Sequence, residues 1–360
     1  MAGVVVLILH PEARPDAGPL ERWVAAARRR IAEAHEAGFA AAGATDVRLL
    51  AGPPDDTSFG ARLRAFVDRE RPRGIVVLGA GSVPLASDAD RRALLAAAAR
   101  PARQALTNNR FSADVVAVSR AEGLLDLPDL PSDNALPRWL AEVGDYPVAE
   151  LRRWQLGVDV DGPLDLVLLA RAGVTPADPT PDTDLLRVNR ALDAVAAVAA
   201  DRRAELVISG RTSASTLRWL ERNAAARVRA IVEERGLRAA TLAAMADDGS
   251  APSLRRPPRS VLGALLDRDG PGALGRHLAS LGEAAIVDSR VLLAHHLGAD
   301  ERGWPVAEDR FASDLLLHER VADPWLRDLT RSAADAPIPI ALGGHTLVGP
   351  GLRLALRRRG

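Results

Sequence analysis

The apolar positions change period repeatedly along the chain. Residues 4–9, VVVLIL, form an unbroken β-branched and Leu run without alternation, the pattern of a strand buried on both faces. The following segment, LERWVAAARRRIAEAHEAGFAAAG, places apolar residues near helical spacing and ends on Gly, which predicts a helix. DVRLLAG then predicts a strand, SFGARLRAFVDRER a Ser-capped helix and GIVVLGAG a second buried strand. Asp88 is placed to cap the helix DADRRALLAAAA, DVVAVS at 114–119 reads as a strand, and ALPRWLAEVG after Asn134 as a helix. Alternation of this kind implies α/β architecture: a mostly parallel sheet with helices on both faces.

The run GVTPADPTPDTD interrupts this rhythm with Pro, Thr and Asp, which neither pack nor sustain a helix. It sets an expected linker at 173–182 between a three-layer domain of residues 1–172 and a second α/β domain of residues 183–360. In the latter, LLRVNRALDAVAAVAADRR, SASTLRWLERN and segments starting at Ser260 and about Pro324 predict helices. ELVISG, VRAIVEE, AAIVDSRVLLA and IPIALGG predict strands.

Composition narrows the chemistry. Basic and acidic residues are equal at 47 each, so no broad positive footprint favours nucleic acid. All the basic residues are Arg; without Lys there is no P-loop lysine, Schiff base or lysine general base. With no Cys there is no disulfide, thiolate metal site or thiol nucleophile, as suits a cytoplasmic protein. The opening apolar run is too short for a signal segment, and no run approaches the roughly 20 residues of a membrane span, so no membrane partner is expected.

Ligands of open α/β sheets bind beyond the carboxyl ends of the strands. In the first domain these ends carry AGSVPLASDAD, LTNNRFSAD and SDNALPRW. Three stretches, GIVVLGAGSVPLASDADRRALLAAA, SDNALPRWL and LGVDVDGPLDLVLL, resemble in order the nucleotidyltransferases of the glycosyltransferase-A-like fold. Phospholactate and molybdenum-cofactor guanylyltransferases are the particular likeness, over residues 1–172. The resemblance implies a nucleotidyltransferase activity: Mg²⁺-assisted transfer of a nucleotidyl group from an NTP to a small phosphorylated acceptor. Asp159 and Asp161 would hold the metal, and Ser82, Asn108, Asn109 and Asn134 would lie near the nucleotide. Residues i and i+2 of an extended segment share a side, so Asp159 and Asp161 face one way while Val158 and Val160 face the core. Two departures stand out. The place of the family's Gly-rich, Arg- and Lys-bearing first loop holds HPEARPDAGPLERW, and Ser82 stands where the family has a metal-binding Asp.

Structural roles fit several of the same residues. Asp161 fits equally as the cap of a helix starting at Pro163, with Asp165 favoured by the helix dipole, and Asn108 and Asn109 fit as turn residues. Asp314 and His318 are spaced to pair on one helix face.

In the second domain every expected strand ends in polar residues. Ser209, Arg211 and Thr212 before a helix form a candidate anion cradle, joined by Arg235 and His345 at neighbouring strand ends. A second function class follows: a catalytically inactive regulatory protein that binds a nucleotide or phospho-ligand at this C-terminal anion site.

Overall fold

The computed structural model describes residues 3–179, 184–237 and 256–357. Positions 180–182 of the expected linker and residues 247–255 of the polar connection before Ser260 lie outside them. No described helix is long and apolar enough to cross a membrane.

By its contacts the chain forms two units, each with its own sheet. Within the described residues the first comprises 3–16 and 25–160. Its strands are β1 (Val4–Pro11), β2 (Asp46–Gly52), β3 (Gly74–Gly79), β4 (Ala105–Thr107), β5 (Val115–Ser119) and β6 (Val148–Glu150). Its helices are α1 (Pro19–Ala41), whose residues up to Val24 group with the second unit, α2 (Phe59–Glu70), α3 (Asp88–Ala98) and α4 (Leu136–Glu142). The sheet order is β2-β1-β3-β5-β4-β6. It is mixed but mostly parallel: β5 alone runs opposite to its neighbours β3 and β4.

The unbroken apolar runs serve two cores at once, because successive side chains on a strand point to opposite faces. Val5 and Leu7 of β1 join Leu63 and Phe66 of α2 beneath the sheet, while Val6 and Ile8 join Ala32 and Phe39 of α1 and Leu94 of α3 above it. The three-residue β4 lies in what reads in the sequence as a loop. Its insertion makes the next strand, β5, an antiparallel hairpin partner.

The second unit comprises residues 17–24, 161–179, 184–237 and 256–357. In chain order it contains α5 (Pro163–Arg171), α6 (Leu186–Ala199), β7 (Glu205–Gly210), α7 (Ala214–Asn223), β8 (Arg227–Val232), α8 (Val261–Asp269) and α9 (Leu274–Ala279). There follow β9 (Ala284–Asp288), α10 (Ser289–Leu297), α11 (Ala307–Asp314), α12 (Pro324–Ala334), β10 (Ile340–Gly343) and two single turns, α13 (His345–Val348) and α14 (Leu352–Ala355). The strands are all parallel, in the order β10-β9-β7-β8. The division between the units falls at Val160 and Asp161, ahead of α5 rather than at 173–182. Helix α5 is buried almost all round and packs on α11 and α14 of the second unit.

Four local expectations are corrected. Ser87, not Asp88, caps α3, in a capping box with Asp90. Helix α5 is capped through Asp165, whose Oδ2 accepts the Asp161 and Gly162 N–H groups at 2.9 Å each; Gly162 is the N-cap, so Asp161 is not. The strand expected over AAIVDSRVLLA stops at Asp288, and the rest is helix α10. Asp314 closes α11 and pairs with Arg290, while His318 lies beyond the helix beside Glu319.

Candidate functional site

In the first unit the chain leaves β1 for β2 on one side and reaches β3 on the other. The topology therefore reverses between β1 and β3, where open α/β sheets form their ligand crevice. Three segments meet there: the end of β1, the turn after β3, and the strand-like residues 159–160. Ala80 N donates to Leu9 O at 2.8 Å, Ser82 forms an antiparallel bridge with Asp159, and Val160 N donates to Gly81 O at 3.1 Å. The turn fits only small residues at one point, since a Cβ on Gly81 would sit 3.0 Å from Val160 O and 3.1 Å from Arg28 Cγ. Val83 is buried with φ of 46°, a left-handed conformation that β-branched residues avoid, at a cost of about 1–3 kcal/mol.

Above this turn lies a polar group that composition did not reveal. His10, at the end of β1, is 5% exposed, and its Nδ1 has no hydrogen-bond partner. Burial first, and then the charge of Arg29, lower its pKa from the usual histidine value; Arg28 adds to the effect, while Glu12 and Glu33 oppose it. Arg28 Nε donates to Val160 O at 2.8 Å, and Arg29 pairs with Glu33 at 2.9 Å. His35 is buried deeper on α1. Its Nε2 lies 2.8 Å from Ser82 O, so Nε2 carries the proton and donates, and its buried Nδ1 is left without a partner. Burial pulls the His35 pKa down to about 4.

Asn108 and Asn109 follow β4, and Asn108 is occupied by Asp114 of its own loop and by Leu156. Its Nδ2 donates to Asp114 Oδ2 at 2.6 Å and Leu156 O at 2.7 Å, and its Oδ1 accepts from Asp114 N at 3.0 Å. Asn109 Oδ1 accepts from Phe111 N at 3.0 Å, as a turn residue does. Asn134 is buried and accepts the Ser112 hydroxyl at 2.7 Å. Val158 and Val160 are fully buried, and Asp159 is half-buried, its Oδ1 accepting from Val160 N at 2.8 Å. Asp161 is exposed and groups with the second unit, where its charge helps to raise the pKa of Asp165, after burial as the main cause. Among the described residues no three His, Asp or Glu side chains form a group that could hold a metal ion.

The second sheet reverses between β7 and β9, and its polar strand ends gather as parallel pairing requires. Arg211 forks onto Asp288, with Nε to Oδ2 at 2.6 Å and Nη2 to Oδ1 at 3.0 Å. Gly210 makes that approach possible: its φ is 126°, and a Cβ there would lie 2.3 Å from Asp288 Cβ. Arg290 forks onto Asp314 at 2.7 and 2.6 Å. Burial alone would raise the Asp288 pKa, but Arg211 brings it below the ordinary value, with His345 and Arg290 assisting; Asp314 remains raised by burial. Ser209 is buried at the end of β7, His345 is exposed at the end of β10, and Arg235 is exposed beyond the edge strand β8. Thr212 is 1% exposed and its Oγ1 has no partner.

His10, Arg28 and Arg29 escaped the sequence reading because HPEARP reads as a loop, although His10 belongs to β1, and because the two arginines lie in a helix middle. The available signal was a lone His ending a continuous buried strand. His295 and His296 diverge as adjacent residues must: His295 meets Ser260 N and Asp267, and His296 stacks on Trp325.

No protein-family model matches the chain, and no match is found among curated proteins. Among solved structures, one described as a "putative nucleotide-diphospho-sugar transferase" from Desulfovibrio desulfuricans G20 is 15% identical with a TM-score of 0.37, over 48% of this chain and 88% of that one. At that level of likeness nothing about ligand or chemistry passes from that protein to this chain.

Proposed function

We propose that the first unit binds the phosphates of a nucleotide at the carboxyl ends of β1 and β3, and that this binding serves metal-assisted nucleotidyl transfer to a phosphorylated acceptor. The observation that supports this most is the convergence of the unpartnered, buried His10 with Arg28 and Arg29 on the crevice where the strand order reverses. Arginine is the only fully cationic side chain in the chain, and its planar fork suits phosphate oxygens. A lowered pKa keeps His10 neutral at pH 7, as a hydrogen-bonding group rather than a charge.

Mg²⁺ takes one or two carboxylates and completes its shell with water and substrate phosphates. Asp159, bridged to Ser82 at the crevice, meets that minimum, whereas Asp161 groups with the other unit. When bound, the ion would neutralise charge on the phosphates; this chain's own residues orient them through Arg28 and Arg29, with His10 as a donor or acceptor at their edge.

Thermal unfolding of the full chain with each NTP, with and without Mg²⁺, tests this. One nucleotide should raise the Tm, more so with Mg²⁺, and Asp159→Asn should remove the Mg²⁺-dependent part. No shift with any nucleotide refutes the binding; a shift indifferent to Mg²⁺ and to Asp159→Asn refutes the metal assignment.

A further inference from the structure

We propose that the second unit holds a separate site for the carboxylate of a small organic acid, at the ends of β7 and β9, with the Thr212 hydroxyl and the outer edge of Arg211 as its side-chain contacts. The position is the reversal point of the second sheet, where the first turns of α7 and α10 follow adjacent strands. Both helices are long enough to present a dipole, at 10 and 9 residues. The N-cap of α10 is Asp288, yet its carboxylate makes no cap and is held by Arg211 through both oxygens. The first N–H groups of α10 therefore receive no side-chain acceptor from their own cap residue.

An independent observation points to a ligand. Thr212 is buried to 1% exposure directly between β7 and α7, and its hydroxyl has no partner. Buried hydroxyls are nearly always satisfied, and leaving one open is costly unless something else completes it.

The charge balance selects the ligand class. Arg211 is matched by Asp288 and Arg290 by Asp314, so neither of these guanidinium groups adds net charge to the site. Each helix N-terminus contributes the equivalent of about half a positive charge, so the pair matches a single negative charge. A carboxylate carries that charge; a doubly charged phosphate exceeds it. Asp288 meanwhile fixes the guanidinium plane of Arg211 by a bidentate fork, pre-setting the outer edge for an in-plane carboxylate oxygen.

The test uses the full chain, with dissociation constants of acetate, lactate, pyruvate and benzoate, and of inorganic phosphate at pH 8, read by ligand-observed NMR at constant ionic strength. At least one carboxylate should bind more tightly than phosphate. Thr212→Val should weaken it roughly tenfold, the loss of one hydrogen bond to a charged group, while Thr212→Ser retains it. Because the hydroxyl has no internal partner, Thr212→Val without ligand should unfold at a temperature equal to or above that of the wild type. Absence of carboxylate binding, tighter phosphate binding, equal binding by Thr212→Val, or a lowered Tm or failed folding of that variant would each overturn the proposal.

Discussion

At the scale of single residues, buried polar atoms separate architecture from candidate chemistry. Asn108 is satisfied on both sides of its amide by Asp114 of the β4–β5 loop and by Leu156 O. Asn108→Ala should cost about 2–3 kcal/mol in chemical denaturation by leaving Asp114 and the loop N–H groups unpaired, whatever it does to binding. His35 is the converse case, with Nδ1 buried and unpartnered. Its folded pKa is about 4 against 6.5 for the free side chain, so below pH 6.5 the unfolded chain takes up a proton that the native state refuses. The stability that this histidine confers is present above pH 6.5 and lost as the pH falls toward 4, by about 3 kcal/mol in all. His35→Gln should flatten that part of the stability profile between pH 7 and 4. An unchanged slope would contradict the burial of a neutral ring.

At the scale of elements, what was legible followed from side-chain periodicity. The runs VVVLIL and GIVVLG declared strands buried on both faces, and alternate residues of β1 do enter two different cores. Ser58, Ser213 and Ser260 were readable as helix starts because a hydroxyl before an amphipathic run has one common use. Strand β4 was not readable: three residues, ALT, are too few to display a period, and their pairing with β5 and β6 is a tertiary event. The α5 terminus shows a related limit, since Asp161 and Asp165 both stand near the helix start and only the fold selects Asp165 as the capping side chain. Gly210 offers an element-level test. Gly210→Ala imposes a Cβ at φ of 126°, 2.3 Å from Asp288 Cβ, and should destabilise the chain by about 2 kcal/mol or more. Retention of wild-type Tm would show that β7 and β9 do not approach as described.

At the scale of the whole molecule, the equal numbers of acidic and arginine side chains hide strong local order. In the second unit Arg211 and Arg290 are committed to buried carboxylates, whereas in the first Arg29, paired with the half-exposed Glu33, and Arg28, which donates to Val160 O, both act on the charge of His10. Neither arrangement was visible from composition, because a count of arginines says nothing about which are neutralised. Ser82 and Asp159, which bridge each other, were singled out through the resemblance of their segments to nucleotidyltransferases; His10 was not singled out, since that requires knowing that the sheet reverses beside β1. Calorimetric titration of the full chain with each NTP in the presence of Mg²⁺, repeated with His10→Ala and Arg29→Gln, tests the central claim most directly. Saturable binding of one nucleotide, weakened roughly tenfold by each substitution, is the predicted result. Failure of every nucleotide to bind, or binding that neither substitution alters, would contradict it.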